Sequence, residues 1–186
     1  MHDNGAENYL KFLQGSDEAF VELIRAYKDG LILFLLRYVG DIHLAEELTE
    51  DTFFKLLSRK PRFEHRSSFK TWLYTIAHNT AIDYIRHTHR ELPTADMQQS
   101  LPGADMETLE RAYLKADQKI MVHRMLARLD PRHAQVLHLC YFEELDYAQI
   151  GQIMHLSTRQ VTNLLYRARQ KLKTELEKAG FEYEEQ

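Results

Sequence analysis

The sequence predicts an all-α protein: two small helical domains joined by a flexible acidic linker, the second containing a helix-turn-helix. Three observations predict it. Apolar side chains recur at i, i+3, i+4 spacing from about residue 16 to 89 and again from about 117 to 177. Only 7 Gly and 4 Pro interrupt the chain, and no alternation of strand period persists. Between the periodic regions, residues 91–116 hold Pro93, Pro102, Gly103 and scattered acids, with no lasting apolar face. The expected divisions are a first domain at 1–90, a linker at 91–116 and a second domain at 117–186. At 186 residues and 44% apolar content the chain is long and apolar enough for two small cores.

Each element has a local cause. Ser16 is a fit N-cap, with Asp17 and Glu18 in the first turn where carboxylates suit the helix dipole. Phe20, Leu23, Ile24, Tyr27, Leu31, Phe34, Leu35 and Tyr38 then follow helical spacing. Asp41, after Gly40, caps a second helix with the apolar stripe Ala45, Leu48, Thr52, Phe53, Leu56 and Leu57. A basic loop runs from Arg59 to Arg66. Ser67 or Ser68 caps a long helix whose stripe is Phe69, Trp72, Leu73, Ile76, Ala77, Thr80, Ala81, Tyr84 and Ile85. In the second domain Asp130-Pro131 sets a cap followed by proline at the first helical position. Asp146 with Gln149, and Ser157 with Gln160, fit capping boxes. They bracket a short helix from Tyr147 to Met154 and a tight turn through His155 and Leu156. The final helix buries Val161, Leu164, Leu165, Ala168 and Leu172.

Cys140 is the single cysteine, so an internal disulfide and a multi-thiolate zinc site are both excluded. The N-terminus lacks the basic and apolar stretches of a signal peptide. The longest apolar run, Leu31 to Leu36, falls far short of the ~20 residues that span a bilayer. A soluble, cytoplasmic protein is expected, with no membrane insertion.

Net charge is −4, but the charges are segregated. Residues 1–54 sum to −7, residues 55–90 to +6, residues 155–174 to +5 and residues 175–186 to −4. Such blocks, rather than the total, set what each surface attracts. Either basic block alone reads as a solvated helix face. The second lies on the later helix of a helix-turn-helix, opposite the apolar stripe. There Arg159, Thr162, Asn163, Tyr166, Arg167 and Gln170 suit a DNA major groove. Lys171 and Lys173, near the helix end, suit phosphates.

The first basic block mixes Lys and Arg with Phe63, Phe69, Trp72 and Tyr74, a composition suited to single-stranded DNA. Phe69 and Trp72 lie on the apolar stripe and point to core packing. Phe63 in the loop and Tyr74 off the stripe are the better candidates for base contact, and Asn79 can meet a base edge. Glu46, Glu47, Glu50 and Asp51 crowd one helix, where like charges three and four apart oppose helix formation. They are either tolerated at the surface or held for a basic partner.

Taken together these segments resemble the extracytoplasmic-function group of bacterial sigma factors. Ala45 to Phe53 resembles the family's polymerase-binding helix, Phe69 to Arg86 its promoter-melting helix, and Leu129 to Leu137 with the helix-turn-helix through Arg169 its second domain. The resemblance covers residues 10–90 and 117–175. It implies that Glu46, Glu47, Glu50 and Asp51 bind the β′ clamp helices of core RNA polymerase, with the β subunit as a further contact. It implies that the loop through Phe63, His65, Arg66 and Ser67, with Tyr74, Asn79, Asp83 and Arg86, handles the −10 element as single strand. Arg159, Thr162, Asn163, Tyr166, Arg167 and Lys171 would read the −35 element as duplex. An anti-sigma factor is an implied partner, and a stress or envelope response the implied setting. The chain departs from the common pattern in its loop (Phe63-Glu64-His65-Arg66-Ser67), at Thr162, where Arg is frequent, and at Glu50, where Gln is common.

Two other readings compete. A helix-turn-helix regulator acting without polymerase accounts for residues 117–175 but leaves the acidic and melting helices unused. An enzyme could draw on His87, His89, His123, His133, His138 and Cys140, which are expected mostly at the surface or its boundary. No Walker loop, dinucleotide fingerprint or HExxH motif accompanies them. No catalytic residue, metal or cofactor is expected. The charge segregation further suggests that acidic regions fold over basic ones in the free protein and weaken specific DNA binding.

Overall fold

The computed structural model describes residues 4–91 and 125–178, and all the regular structure among them is helical. The first half holds α1 (Gly5–Leu13), α2 (Asp17–Val39), α3 (Ile42–Arg59) and α4 (Phe69–Glu91). The second holds α5 (Pro131–Tyr141), α6 (Tyr147–Met154) and α7 (Thr158–Lys178). Residues 125–127 are also helical, ahead of α5. The expected linker lies outside the described residues, apart from Glu91, which closes α4.

The expected caps form. Ser16 accepts from Ala19 N at 3.3 Å and Asp41 from Leu44 N at 2.8 Å. Of the two serines before α4, Ser68 is the cap, accepting from Thr71 N at 3.1 Å. Asp130 accepts from Arg132 N at 3.0 Å. Asp146 with Gln149 and Ser157 with Gln160 each pair reciprocally. Each such bond satisfies a helix-end N–H that has no partner within its helix.

α1 lies ahead of the first expected helix. A pattern of nine residues with two core side chains is too short to show a period, and a helix of that length is stable only when packed. Tyr9 and Phe12 are both buried. Tyr9 sits 5.5 Å from Phe69 and 5.3 Å from Trp72, ring centre to ring centre, and donates to Pro61 O at 2.7 Å. α1 thereby ties the basic loop to α4.

Two stripe assignments need correction. Leu57 is 45% exposed, because α3 is covered on one side only and Leu57 turns to the other. Tyr84 is 38% exposed, and beyond Ala81 no described side chain of α4 is buried. The stripe continues in the sequence after the covering helices end.

The two halves are packed together. α5 lies on α2 and α6 on α4, and one hydrophobic cluster runs from Tyr9 through Phe34, Tyr74 and Leu137 to Ala168. Burial of this kind contributes roughly 25 cal/mol per Å² of apolar surface.

Candidate nucleic-acid interface

The helix-turn-helix is built around a close approach. A Cβ on Gly151 would lie 2.6 Å from the carbonyl oxygen of Leu156, so only glycine lets the turn fold back onto α6. His155 closes α6 in the left-handed region at φ 54°. α7 then buries Val161, Leu165 and Ala168 against α5 and α6. Arg159, Thr162, Asn163, Tyr166, Arg167, Gln170 and Lys171 all stand exposed on its outer side. Tyr166 is 65% exposed, far more than a structural tyrosine requires. Thr162 donates its hydroxyl to Thr158 O at 2.9 Å, leaving its methyl and an acceptor lone pair for a partner. Arg169 is held back instead: its Nε donates to the Tyr141 hydroxyl at 2.7 Å, and its guanidinium also reaches Tyr147. It braces α7 against α5 and α6.

The α4 face is different in kind. Asn79, Asp83 and Arg86 are exposed and share one side of the helix at i, i+4, i+7 spacing. They line a cleft of about 760 Å³ between the halves, with Tyr38 and His78 on one side and Arg132, Gln135 and His155 on the other. Asn79 Oδ1 lies 3.1 Å from His155 Nε2, so the second half holds the very amide proposed for a base.

The aromatic expectations change in the structure. Tyr74 is 1% exposed and Phe63 is 7% exposed. Tyr74, off the first-domain stripe, is buried against Phe34 of α2, 5.2 Å between ring centres, and its hydroxyl meets Glu143 from the second half. Phe63 packs 5.2 Å from Trp72 and 5.7 Å from Phe69, and so anchors the loop. Neither ring is open to a base in this arrangement. Of the loop's expected contacts, His65, tilted against Phe63 at 4.5 Å between ring centres, and Arg66, paired with Glu64 at 3.0 Å, are exposed. Ser67 is half-buried.

On α3, Glu47, Glu50 and Asp51 are exposed and Glu46 is half-buried, 3.7 Å from His43. The next turn presents Phe54, 62% exposed, and Leu57. The sequence reading missed Phe54 as part of this outer face. Its signal was two adjacent phenylalanines, of which a helix can bury only one against a single neighbour.

Between the halves sits a polar cluster that periodicity does not reveal. Lys70 Nζ is 2.6 Å from Glu143 Oε2 and donates to Glu143 O at 2.9 Å. His138 Nε2 is 3.3 Å from Glu143 Oε1. His138 departs from the surface or boundary setting expected for most of these histidines: it is 1% exposed, stacked between Phe142 and Phe34. Burial lowers the proton affinity of its imidazole more than Glu143 raises it. Burial would also lift the Glu143 carboxyl, but the hydrogen bond from His138 and the charge of Lys70 hold it down to about 2. His133 is half-buried, His87 is exposed, and His123 lies outside the described residues. Among the described residues no group of three or more His, Cys, Asp or Glu is placed to hold a metal. No described helix is long and apolar enough to cross a membrane.

Comparison with known proteins places both halves. Residues 23–91 match the family described as Sigma-70 region 2, and residues 119–172 match Sigma-70, region 4. The chain is 31% identical over 163 residues to RNA polymerase sigma factor YlaC of Bacillus subtilis, covering 87% of this chain and 94% of that one. It is 30% identical over 153 residues to ECF RNA polymerase sigma factor SigM of the same organism, covering 82% and 91%. Among solved structures it is similar in fold to CnrH in complex with the cytosolic domain of CnrY. The TM-score there is 0.66 at 18% identity, covering 94% of this chain and 98% of that chain. The sigma factor RpoE of Bartonella quintana, in complex with the anti-sigma factor NepR, gives 0.62 at 20%, covering 85% and 96%.

Proposed function

We propose a division of labour among three faces of this chain, which belongs to the extracytoplasmic-function group of the sigma-70 family. As such it directs RNA polymerase to promoters and is not an enzyme. The acidic side of α3, with Glu46, Glu47, Glu50 and Asp51, docks on the β′ clamp helices of the core enzyme, and Phe54 and Leu57 supply apolar contact beside them. The outer face of α7 reads the −35 element as duplex. Arg159 and Arg167 offer bidentate donors to guanine, Asn163 pairs with adenine, and Thr162 and Tyr166 give methyl, ring and hydroxyl contacts. Lys171 neutralises a phosphate.

The third face takes the −10 element as single strand. His65, Arg66 and Ser67 receive a flipped base, and Asn79, Asp83 and Arg86 contact its neighbours. Flipping costs a few kcal/mol of stacking, which contacts in the pocket must offset. Phe63 and Tyr74 serve beneath this face as packing rather than as stacking platforms. The functional boundaries follow as 1–90, 91–116 and 117–186, with a second-domain contact to the β subunit. An anti-sigma factor that covers both domains is a further partner. The two solved relatives described as complexes with CnrY and NepR support that reading.

The observation that carries the duplex-reading role is the run of seven exposed polar and basic side chains along one side of α7, opposite a buried apolar seam. Run-off transcription with core polymerase and a randomised promoter library tests the whole assignment. Enrichment of a two-part sequence is the expected result. Transcripts that start without sequence preference, or no association with core enzyme, would overturn it.

A further inference from the structure

We propose that Glu143 is an intramolecular latch: seated against Lys70 and Tyr74, it holds the second half across the α4 face and narrows the approach of single-stranded promoter DNA to the cleft that Asn79, Asp83 and Arg86 line. This inference rests on the reading of Asn79, Asp83 and Arg86 as strand contacts.

Three independent features build the latch. The first is the ion pair itself. Glu143 reaches from the α5–α6 turn to Lys70 on α4, and both side chains are withdrawn from water, at 10% and 26% exposure. A charge so placed is costly without its partner, so the pair specifies one arrangement of the halves. The second is Gly30, in the middle of α2. Glycine costs a helix interior about 1 kcal/mol relative to alanine. A Cβ there would lie 2.5 Å from the Tyr74 hydroxyl and 2.9 Å from Glu143 Oε1. The missing side chain is the socket into which the latch fits. The third is the turn geometry. Glu144 is held at φ 54° and His155 at φ 54°, a region that non-glycine residues adopt at some energetic cost. Glu144 adjoins the Glu143 contact, and His155 itself touches Asn79 at 3.1 Å and His78 at 5.3 Å between ring centres. Polar contacts of the second half on the first, beside the helix packing, thus issue from two constrained turns.

Geometry requires the latch to open in use. Elements centred about 35 and about 10 base pairs upstream are roughly 85 Å apart along straight duplex, at about 3.4 Å per base pair. A compact chain of this length has a radius of gyration of roughly 16 Å. Halves that share one core cannot reach both elements, so binding to polymerase must separate them. The covering elements here are α5 and α6; the expected folding of acidic regions over basic ones turns on the linker and tail, which lie outside the described residues.

The test uses the full chain as wild type, Glu143→Ala and Gly30→Ala. Gly30→Ala strengthens α2 as a helix while filling the socket, so it separates opening from unfolding. Solution scattering and hydrogen exchange report closure. Binding to a pool of random single-stranded DNA 20-mers, without polymerase, reports access. Both variants should keep wild-type helicity, expand, and lose exchange protection in α4 and α6. They should bind the oligonucleotides about tenfold more tightly, the gain expected if roughly a tenth of wild-type molecules are open. Unchanged compaction and protection in Gly30→Ala overturns the latch. Expansion without tighter binding leaves the latch standing and overturns the strand-contact reading of α4.

Discussion

The two surfaces assigned to DNA differ in how the chain keeps them. The α7 face is open: its polar side chains point to solvent, and the helix is braced from behind by Arg169 on Tyr141 and Tyr147. The α4 face is engaged: Asn79 is bonded to His155, and its neighbours line the cleft between the halves. A duplex-reading helix needs only a rigid mount, because the major groove admits it whole. A face for an unpaired strand has nothing to bind until polymerase opens the DNA, and exposed basic and apolar groups would otherwise collect nucleic acid indiscriminately. Engaging one face across a cleft and leaving the other open fits that difference in timing.

The largest way to break this comparison is at Gly151. Gly151→Val drives a branched side chain against the Leu156 carbonyl and should cost about 3 kcal/mol, by overpacking and backbone displacement. Urea unfolding measures the loss. Duplex binding should collapse with it, and retention of full −35 binding would show that the turn does not position α7. Next comes Arg167→Ala, which should cost about 1–3 kcal/mol of discrimination at one base pair of the upstream element. Competition binding across single-base variants measures it, and a uniform loss at every sequence would reduce Arg167 to a phosphate contact. Asn79→Ala should leave closed-complex formation unchanged and slow strand opening about tenfold, the scale of one lost hydrogen bond. Permanganate reactivity of the opened strand follows it; normal opening kinetics would remove Asn79 from that face.

A smaller effect is expected from pH. Burial, then the charges of His155 and Arg132, lowers the pKa of His78 to about 4. The Tyr38 hydroxyl lies 2.6 Å from its Nδ1. Tyr38 comes from α2, Arg132 from α5 and His155 from the end of α6, so protonated His78 would face two cationic or ionisable groups across the cleft. A histidine with a depressed folded pKa stabilises the closed form fully above the unfolded value near 6.5, and that contribution is lost as pH falls toward 4. Scattering between pH 7 and 4.5 should show gradual expansion, smaller in His78→Gln; burial also depresses the pKa of His138 between the halves, and an undiminished expansion in that variant would assign the effect there. The smallest effect belongs to Lys171→Ala, which should lower the salt dependence of duplex binding by about one unit of slope with sequence preference intact.

Much of this was legible in the chain. Ser16, Asp41, Asp130, Asp146 and Ser157 announced helix starts because a cap is a local bond between residues two or three apart. The outer face of α7 was legible because Val161, Leu165 and Ala168 fix which side is buried, and the rest follows from the helical period. Tyr74 lies off the stripe, and the helical period does not show that Phe34, 40 positions earlier, packs on its ring or that Glu143 meets its hydroxyl. No periodicity distinguishes a core histidine from a surface one, and the burial of His138 depends on Phe34, 104 positions earlier, as well as on Phe142. α1 escaped notice because two aromatics in nine residues set no period.

The helical class, the caps, the helix-turn-helix with its outward basic face and the segregation of charge can be read from the chain alone, because all of them rest on interactions within a few residues. That α5 and α6 close on α2 and α4, that Gly30 is a socket, and that Glu143 meets Lys70 and Tyr74 emerge once the chain is packed. The contacts among Gly30, Lys70, Tyr74 and Glu143 that join these elements link residues 44 to 113 positions apart, and local spacing carries no information about which distant surfaces meet.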